Sequence, residues 1–121
     1  MKDSILKNKS FGFAISVVKL YKYLCEEKKE FVLSKQVLRS GTSVGAMVRE
    51  AEHSESKADF IHKMAVAQKE INETIYWLEL LYATEYLPLE LFNSLNNDSI
   101  EIIKMLTSSI KTAKRNITVS D

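Results

Sequence analysis

The chain has 121 residues, 45% of them apolar and 27% charged, a balance that belongs to a globular protein and excludes a disordered one. Three glycines and one proline are too few for the turn-rich connections of an all-β fold and favour long helices. The net charge of +1 carries no argument for nucleic acid by itself, so any electrostatic reading must rest on where the charges lie.

The length suits one domain spanning 1–121. Cys25, the single cysteine, has no internal disulfide partner, which fits a reducing compartment. The first residues carry lysines without an apolar run behind a cleavage site, and no stretch approaches the roughly 20 apolar residues of a membrane span. The expectation is a soluble, cytoplasmic protein with no membrane association.

The first predicted helix covers about residues 10–27. Phe11, Ala14, Val18, Tyr21 and Cys25 recur at helical spacing, and so do Phe13, Val17, Leu20 and Leu24. Polar residues are confined to a strip near Ser16, Lys19, Lys22, Tyr23 and Glu26. This apolar sector is wider than one bundle face needs, as in a deeply buried helix or one that also meets another subunit. The run Glu26-Glu27-Lys28-Lys29-Glu30 reads as a solvated connection.

The second helix is predicted over about residues 34–53. Val37, Gly41, Val44, Val48 and Ala51 form one seam with alternating spacings of four and three. Gly41 and Gly45 each cost about 1 kcal/mol against alanine within a helix. Two such costs imply close approach by a neighbouring backbone, or else a bend. Ser56 and Asp59 resemble a capping box before the third helix, about residues 57–85. Phe60, Met64, Ala67, Ile71, Ile75, Leu78 and Tyr82 give that helix its inner face. Pro88 suits the first turn of the fourth helix, about residues 88–115, whose inner face carries Phe92, Leu95, Ile102, Ile103, Leu106, Ile110 and Ala113. Asn96-Asn97-Asp98-Ser99 are weak helix formers and mark a place for a local irregularity; fraying is expected after about Ile117. Four amphipathic helices with short connections predict an all-α, antiparallel up-down-up-down four-helix bundle.

Residues that could carry catalysis do not form a constellation. Glu50-Ala51-Glu52-His53 has the Glu-x-x-His spacing of di-iron bundles, and Asp59 to His62 nearly repeats it, but such ligands must project inward. His53 lies away from the Val37/Val44/Val48 seam, and His62 lies opposite Phe60, Met64 and Ile71. Cys25 sits on an apolar face without a histidine on its helix, as an inert thiol would. The Gly41–Gly45 segment lacks the lysine and preceding strand of a phosphate loop. The reading is non-enzymatic, without catalytic residues, metal or cofactor.

The cations are more informative. Lys35, Arg39, Thr42, Ala46, Arg49 and His53 share one stripe of the second helix, roughly opposite the apolar seam and without a central acid. On the fourth helix Lys104, Lys111 and Arg115 share an outer face with Lys114 nearby, and no acid follows Glu101 before Asp121. Such stripes can track phosphates, and arginine offers bidentate contacts. A soluble bundle also carries charged outer faces as a matter of course, and cations near a helix C-terminus meet its dipole favourably. Tyr76, Trp77 and Leu80 lie off the Ile71/Ile75/Leu78 face, as residues of an oligomer interface do; packing beneath the connection of helices 3 and 4 is the alternative.

The stretch Leu38-Arg39-Ser40-Gly41-Thr42-Ser43-Val44-Gly45-Ala46-Met47-Val48-Arg49-Glu50-Ala51, followed by Glu55-Ser56-Lys57-Ala58-Asp59-Phe60-Ile61-His62-Lys63, resembles the four-helix-bundle family encoded in intervening sequences of bacterial 23S rRNA genes, a ribosomal-protein-like family. The resemblance runs from about Phe11 to Arg115 and takes in Glu70, Glu73, Tyr76, Trp77 and Leu80. It implies an up-down bundle, a ring-shaped homopentamer, and kinship with accessory proteins of diversity-generating retroelements, which form basic barrels that bind nucleic acid and a reverse transcriptase. Arg39, Ser43, Arg49 and Glu50 match common family positions. Met47 departs from the asparagine that many members carry, and removes an amide from the strip it shares with Ser43 and Glu50.

The functional expectation is an oligomeric bundle associating with RNA or a ribonucleoprotein through Lys35, Arg39 and Arg49, with Lys104, Lys111 and Arg115 as a second patch. RNA or DNA, a further copy of the chain and, by resemblance alone, a reverse transcriptase are the expected partners. A protein-binding scaffold without nucleic-acid affinity is the alternative.

Overall fold

The computed structural model describes the backbone of residues 2–120 and the side chains of residues 5–116. Four helices follow one another, α1 (Lys2–Glu26), α2 (Leu33–Glu52), α3 (Lys57–Ala83) and α4 (Leu89–Ser120), and no strand occurs among the described residues. Neighbours in sequence are neighbours in space, α1 closes the square against α4, and the backbones of the two diagonal pairs stay apart across the shared core. Side-chain pairs set the directions: Lys7 meets Glu52, Lys63 meets Glu50 and Tyr82 meets Phe92. Each such pair joins an early position to a late one, so the packing is up-down-up-down.

The core is built where the period requires it. Phe13, Val17, Leu20 and Leu24 of α1 face Val37, Val44 and Val48 of α2, Met64, Ile71 and Leu78 of α3, and Leu95, Ile102 and Leu106 of α4. On α3 the expected Ile75 and Tyr82 give way to Thr74 and Leu81, both fully buried, while Tyr82 is exposed and stacks on Phe92 at 4.9 Å. Thr74 is tolerated because its hydroxyl donates to Ser40 at 2.9 Å across the α2–α3 contact; a buried hydroxyl without a partner would be costly.

The two glycines mark a close approach. A Cβ on Gly41 would stand 2.7 Å from a Val17 methyl, and one on Gly45 would stand 3.3 Å from the Ser10 carbonyl oxygen. α2 continues through both without a break. The predicted irregularity at residues 96–99 is likewise absent: α4 runs through, with Ser99 donating to the Leu95 carbonyl.

Helix α1 begins at Lys2, well before the expected Ser10. A serine can cap a helix or bond back into one, and Ser10 does the second, donating to the Lys7 carbonyl at 3.1 Å while buried against α2. The extra turns bring Leu6 into the core. α4 extends to Ser120, past the end expected near residue 115 and through the positions after Ile117 where fraying was expected; the side chains of residues 117–121 lie outside the described residues.

The α1–α2 connection also differs from a purely solvated run. Lys29 adopts a left-handed conformation with φ 54°, which turns Glu30 inward. Its carboxylate accepts the backbone N–H groups of Val32, Leu33 and Ser34 at 3.3, 3.0 and 2.7 Å. A helix N-terminus leaves such donors orphaned and its dipole favours an anion, so Glu30 is a buried cap. The Ser56 cap of α3 forms as expected, its hydroxyl accepting from Asp59 N–H at 3.0 Å.

Candidate nucleic-acid interface

The α2 stripe lies on the outer face: Lys35, Arg39, Arg49 and His53 are all exposed. Its two arginines are nevertheless engaged within the chain, and in opposite directions. Arg39 leans toward α3, donating to Glu70 at 3.1 Å and to Glu73. Those carboxylates, Glu73 foremost, hold the guanidinium above its ordinary pKa. Arg49 leans toward α1 and places its guanidinium carbon 5.0 Å from the centre of the Phe11 ring, a cation–π arrangement. Lys35 stands apart from both.

Around Arg39 the polar strip is largely satisfied by the bundle itself. Ser43 donates to the Arg39 carbonyl at 2.7 Å, Glu50 pairs with Lys63 at 3.7 Å, and Met47 packs partly buried against the core. An apolar side chain at 47 therefore adds to the packing of α2 on the core.

On α4, Lys104, Lys111 and Arg115 are exposed and are brought together. With Ile103, Thr107, Ser108 and Thr112 they line a shallow groove of about 490 Å³. The helical rise separates Lys104 from Lys111 by about 10 Å and Lys111 from Arg115 by about 6 Å, so the cations follow the helix axis with hydroxyls between them. Gln68 of α3 donates to the Thr107 hydroxyl at 3.0 Å and fixes one wall. The acid at the head of the stripe, Glu101, is taken by Lys9 of α1, which also reaches Asp98 at 3.5 Å. Lys9, with a smaller contribution from Lys104, holds Glu101 below the usual carboxylate range.

Of the expected interface residues, Tyr76 is exposed by 57%. Trp77 is instead partly buried against the core, with its indole N–H buried and without a partner, and Tyr76 meets it edge-on at 5.1 Å. Leu80 is half-buried. The exposed apolar residues of α1 are Ile5, Phe11, Ile15 and Val18. Sequence reasoning registered the breadth of the α1 sector, while the Glu70 and Glu73 partners of Arg39 gave no local signal.

His53 and His62 are exposed, and among the described residues no group of three or more histidine, cysteine, aspartate or glutamate side chains is disposed to hold a metal. Cys25 is half-buried, 3.8 Å from the Ser34 hydroxyl. Among the described residues no helix is long and apolar enough to cross a membrane.

The sequence pattern of the 23S rRNA-intervening sequence proteins matches residues 2–108. A crystal structure of a protein with unknown function from the S23 ribosomal protein family of Bacteroides thetaiotaomicron is 60% identical, superposes with a TM-score of 0.91, and is matched over 92% of this chain and 99% of its own. No protein of curated function matches. The family match spans nearly the whole bundle, both basic stripes included up to Ser108, and the solved relative shares the fold; the chain belongs to the 23S rRNA-intervening sequence protein family.

Proposed function

We propose that this protein is a non-enzymatic, oligomeric helical bundle that acts in the cytoplasm by associating with RNA or a ribonucleoprotein, its cations contacting phosphates. The observation that carries the reading is the α4 groove, where Lys104, Lys111 and Arg115 stand along one face among Thr107, Ser108 and Thr112 with no acid in the sequence from Ile102 to Ser120. Cations neutralise phosphates, and hydroxyls supply further donors to phosphate oxygens. Repetition of the groove in an oligomer adds contacts within one assembly. Lys35, Arg39 and Arg49 give a second, weaker surface, because both arginines must be shared with Glu70, Glu73 and Phe11. A reverse transcriptase as protein partner follows from the resemblance to retroelement accessory proteins.

That sharing also supports the second reading, a scaffold that binds only proteins. Electrophoretic retention of labelled structured RNA and duplex DNA at low salt separates the two. The wild type is expected to retain both, and Lys104→Glu/Lys111→Glu/Arg115→Glu to retain neither; absence of retention by the wild type favours the scaffold.

A further inference from the structure

Beside the cationic groove of α4 lies a second hollow of different character. A cavity of about 300 Å³ spans the seam between α1 and α4, lined by Ile5, Lys104, Met105, Ser108 and Ser109. Lys104 and Ser108 also line the cationic groove, so the two are continuous. Helical spacing explains the join: positions 104, 108, 111 and 115 run along one face, and 105 and 109 along the row beside it. Met105 packs partly buried against the core and forms the floor. Ile5, 56% exposed, forms an open wall, brought there by the early turns of α1 that precede Ser10. Ser16, Ser43 and Ser99 donate to carbonyls of their own helices. Ser108 and Ser109 make no such bond among the described residues, so their hydroxyls are available to a ligand.

A ligand suited to both hollows has an apolar body, a hydrogen-bonding edge and more than one anionic group. An acyl chain with an acidic head would fill the apolar part, but it needs one cation and leaves Lys111, Arg115 and the serine hydroxyls unused. A nucleotide within a strand uses all of them. Resting on the phosphate-contacting reading above, we infer that the hollow receives the base of an unpaired RNA nucleotide, whose flanking phosphates lie on Lys104 and Lys111 in the groove. A base within a paired stem is held in the stack and is not delivered to such a site, whereas RNA loops and bulges present bases already splayed out. Ile5 and Met105 cover the apolar faces of the ring, and a thioether makes favourable contacts with an aromatic system. The hydroxyls of Ser108 and Ser109 each donate and accept, so they meet the edge of any base. The site therefore selects unpaired over paired nucleotides with little choice among the bases.

Three RNA hairpins test this: one with a fully paired stem, one with a single-nucleotide bulge in that stem, and one in which the bulged nucleotide is abasic. Fluorescence anisotropy at low salt reads all three. The wild type is expected to bind the bulged hairpin at least about tenfold more tightly than the paired one. The abasic bulge should bind like the paired hairpin, because it keeps the phosphates and lacks only the base. Ser109→Trp places a ring in the hollow and should remove the preference while leaving the paired hairpin bound as before. Ile5→Ala trims an exposed side chain and should reduce the preference in the same way, which keeps the test decisive if Ser109→Trp folds poorly. Failure of the wild type to bind any of the three overturns the phosphate-contacting reading itself. Equal binding of bulged and paired hairpins, an abasic bulge bound as tightly as the intact one, or a preference that survives both variants leaves the groove standing and overturns the base pocket.

Discussion

The Cβ that Gly41 lacks would lie 2.7 Å from a methyl of Val17. That separation is shorter than van der Waals contact, and the atom in the way belongs to a β-branched side chain with little χ1 freedom. Gly41→Leu is therefore expected to destabilise the bundle by about 1–3 kcal/mol through overpacking. Gly12 is the control: nothing stands within 4 Å of a Cβ built there, and Gly12→Ala should stabilise α1 by up to about 1 kcal/mol. Denaturant unfolding measures both, and a gain at position 41 would contradict the close approach.

Glu30→Ala removes the carboxylate that receives three backbone N–H groups at the start of α2. Hydrogen bonds to charged groups contribute about 1.5–3 kcal/mol, and a cap of this kind should cost on that order. Hydrogen exchange should show the first turn of α2 opening selectively. A variant with unchanged stability and protection would mean that water replaces the carboxylate without loss.

How much of this was readable in the sequence depends on the range of each interaction. The α2 seam was legible because Val37, Val44 and Val48 obey one period, and the close approach because glycine is expensive in a helix. The start of α1 was misplaced because the hydroxyl of Ser10 serves a cap and a back-bond equally well in one dimension. Glu30 read as solvent-facing because its burial depends on the left-handed turn at Lys29, which a charged run does not announce. The engagement of Arg39 was invisible because Glu70 and Glu73 lie 31 and 34 residues along the chain and come beside it only when α2 and α3 pack antiparallel. The α4 groove needed only helical spacing, so its cations were found together.

The clasp between α1 and α4 should be pH-dependent. Glu101 is held low by the Lys9 ammonium, so its pairing adds stability above the unfolded carboxylate value and loses it as pH falls through the lower folded one. Lys9 is held above the ordinary amine value, chiefly by Glu101, so its share is full below that value and lost as pH rises through the folded one. Between those limits Lys9→Met should lower stability, and the difference from wild type should shrink on acidification through the carboxylate range. Unfolding curves across pH measure it; a difference independent of pH would assign the effect of Lys9 to packing alone.

Exchanging arginine for glutamate at position 39 places a third carboxylate beside Glu70 and Glu73, so Arg39→Glu should reduce thermal stability where Lys35→Glu, on an open part of the same stripe, should not. Equal melting temperatures for the two variants would show that the Arg39 pairing contributes nothing measurable, as many exposed pairs do.

The salt dependence of binding tests the central claim most directly. Phosphate contacts release counterions, so log K falls linearly with log salt concentration, by about 0.9 for each duplex phosphate neutralised. Titrating the intact protein with duplex RNA or DNA at several salt concentrations should give a steep negative slope. Removing Lys111 and Arg115 together should make that slope shallower by about two for each groove in contact. No binding at low salt, or binding whose strength and slope are unchanged by those substitutions, would contradict a phosphate-contacting role for the α4 groove.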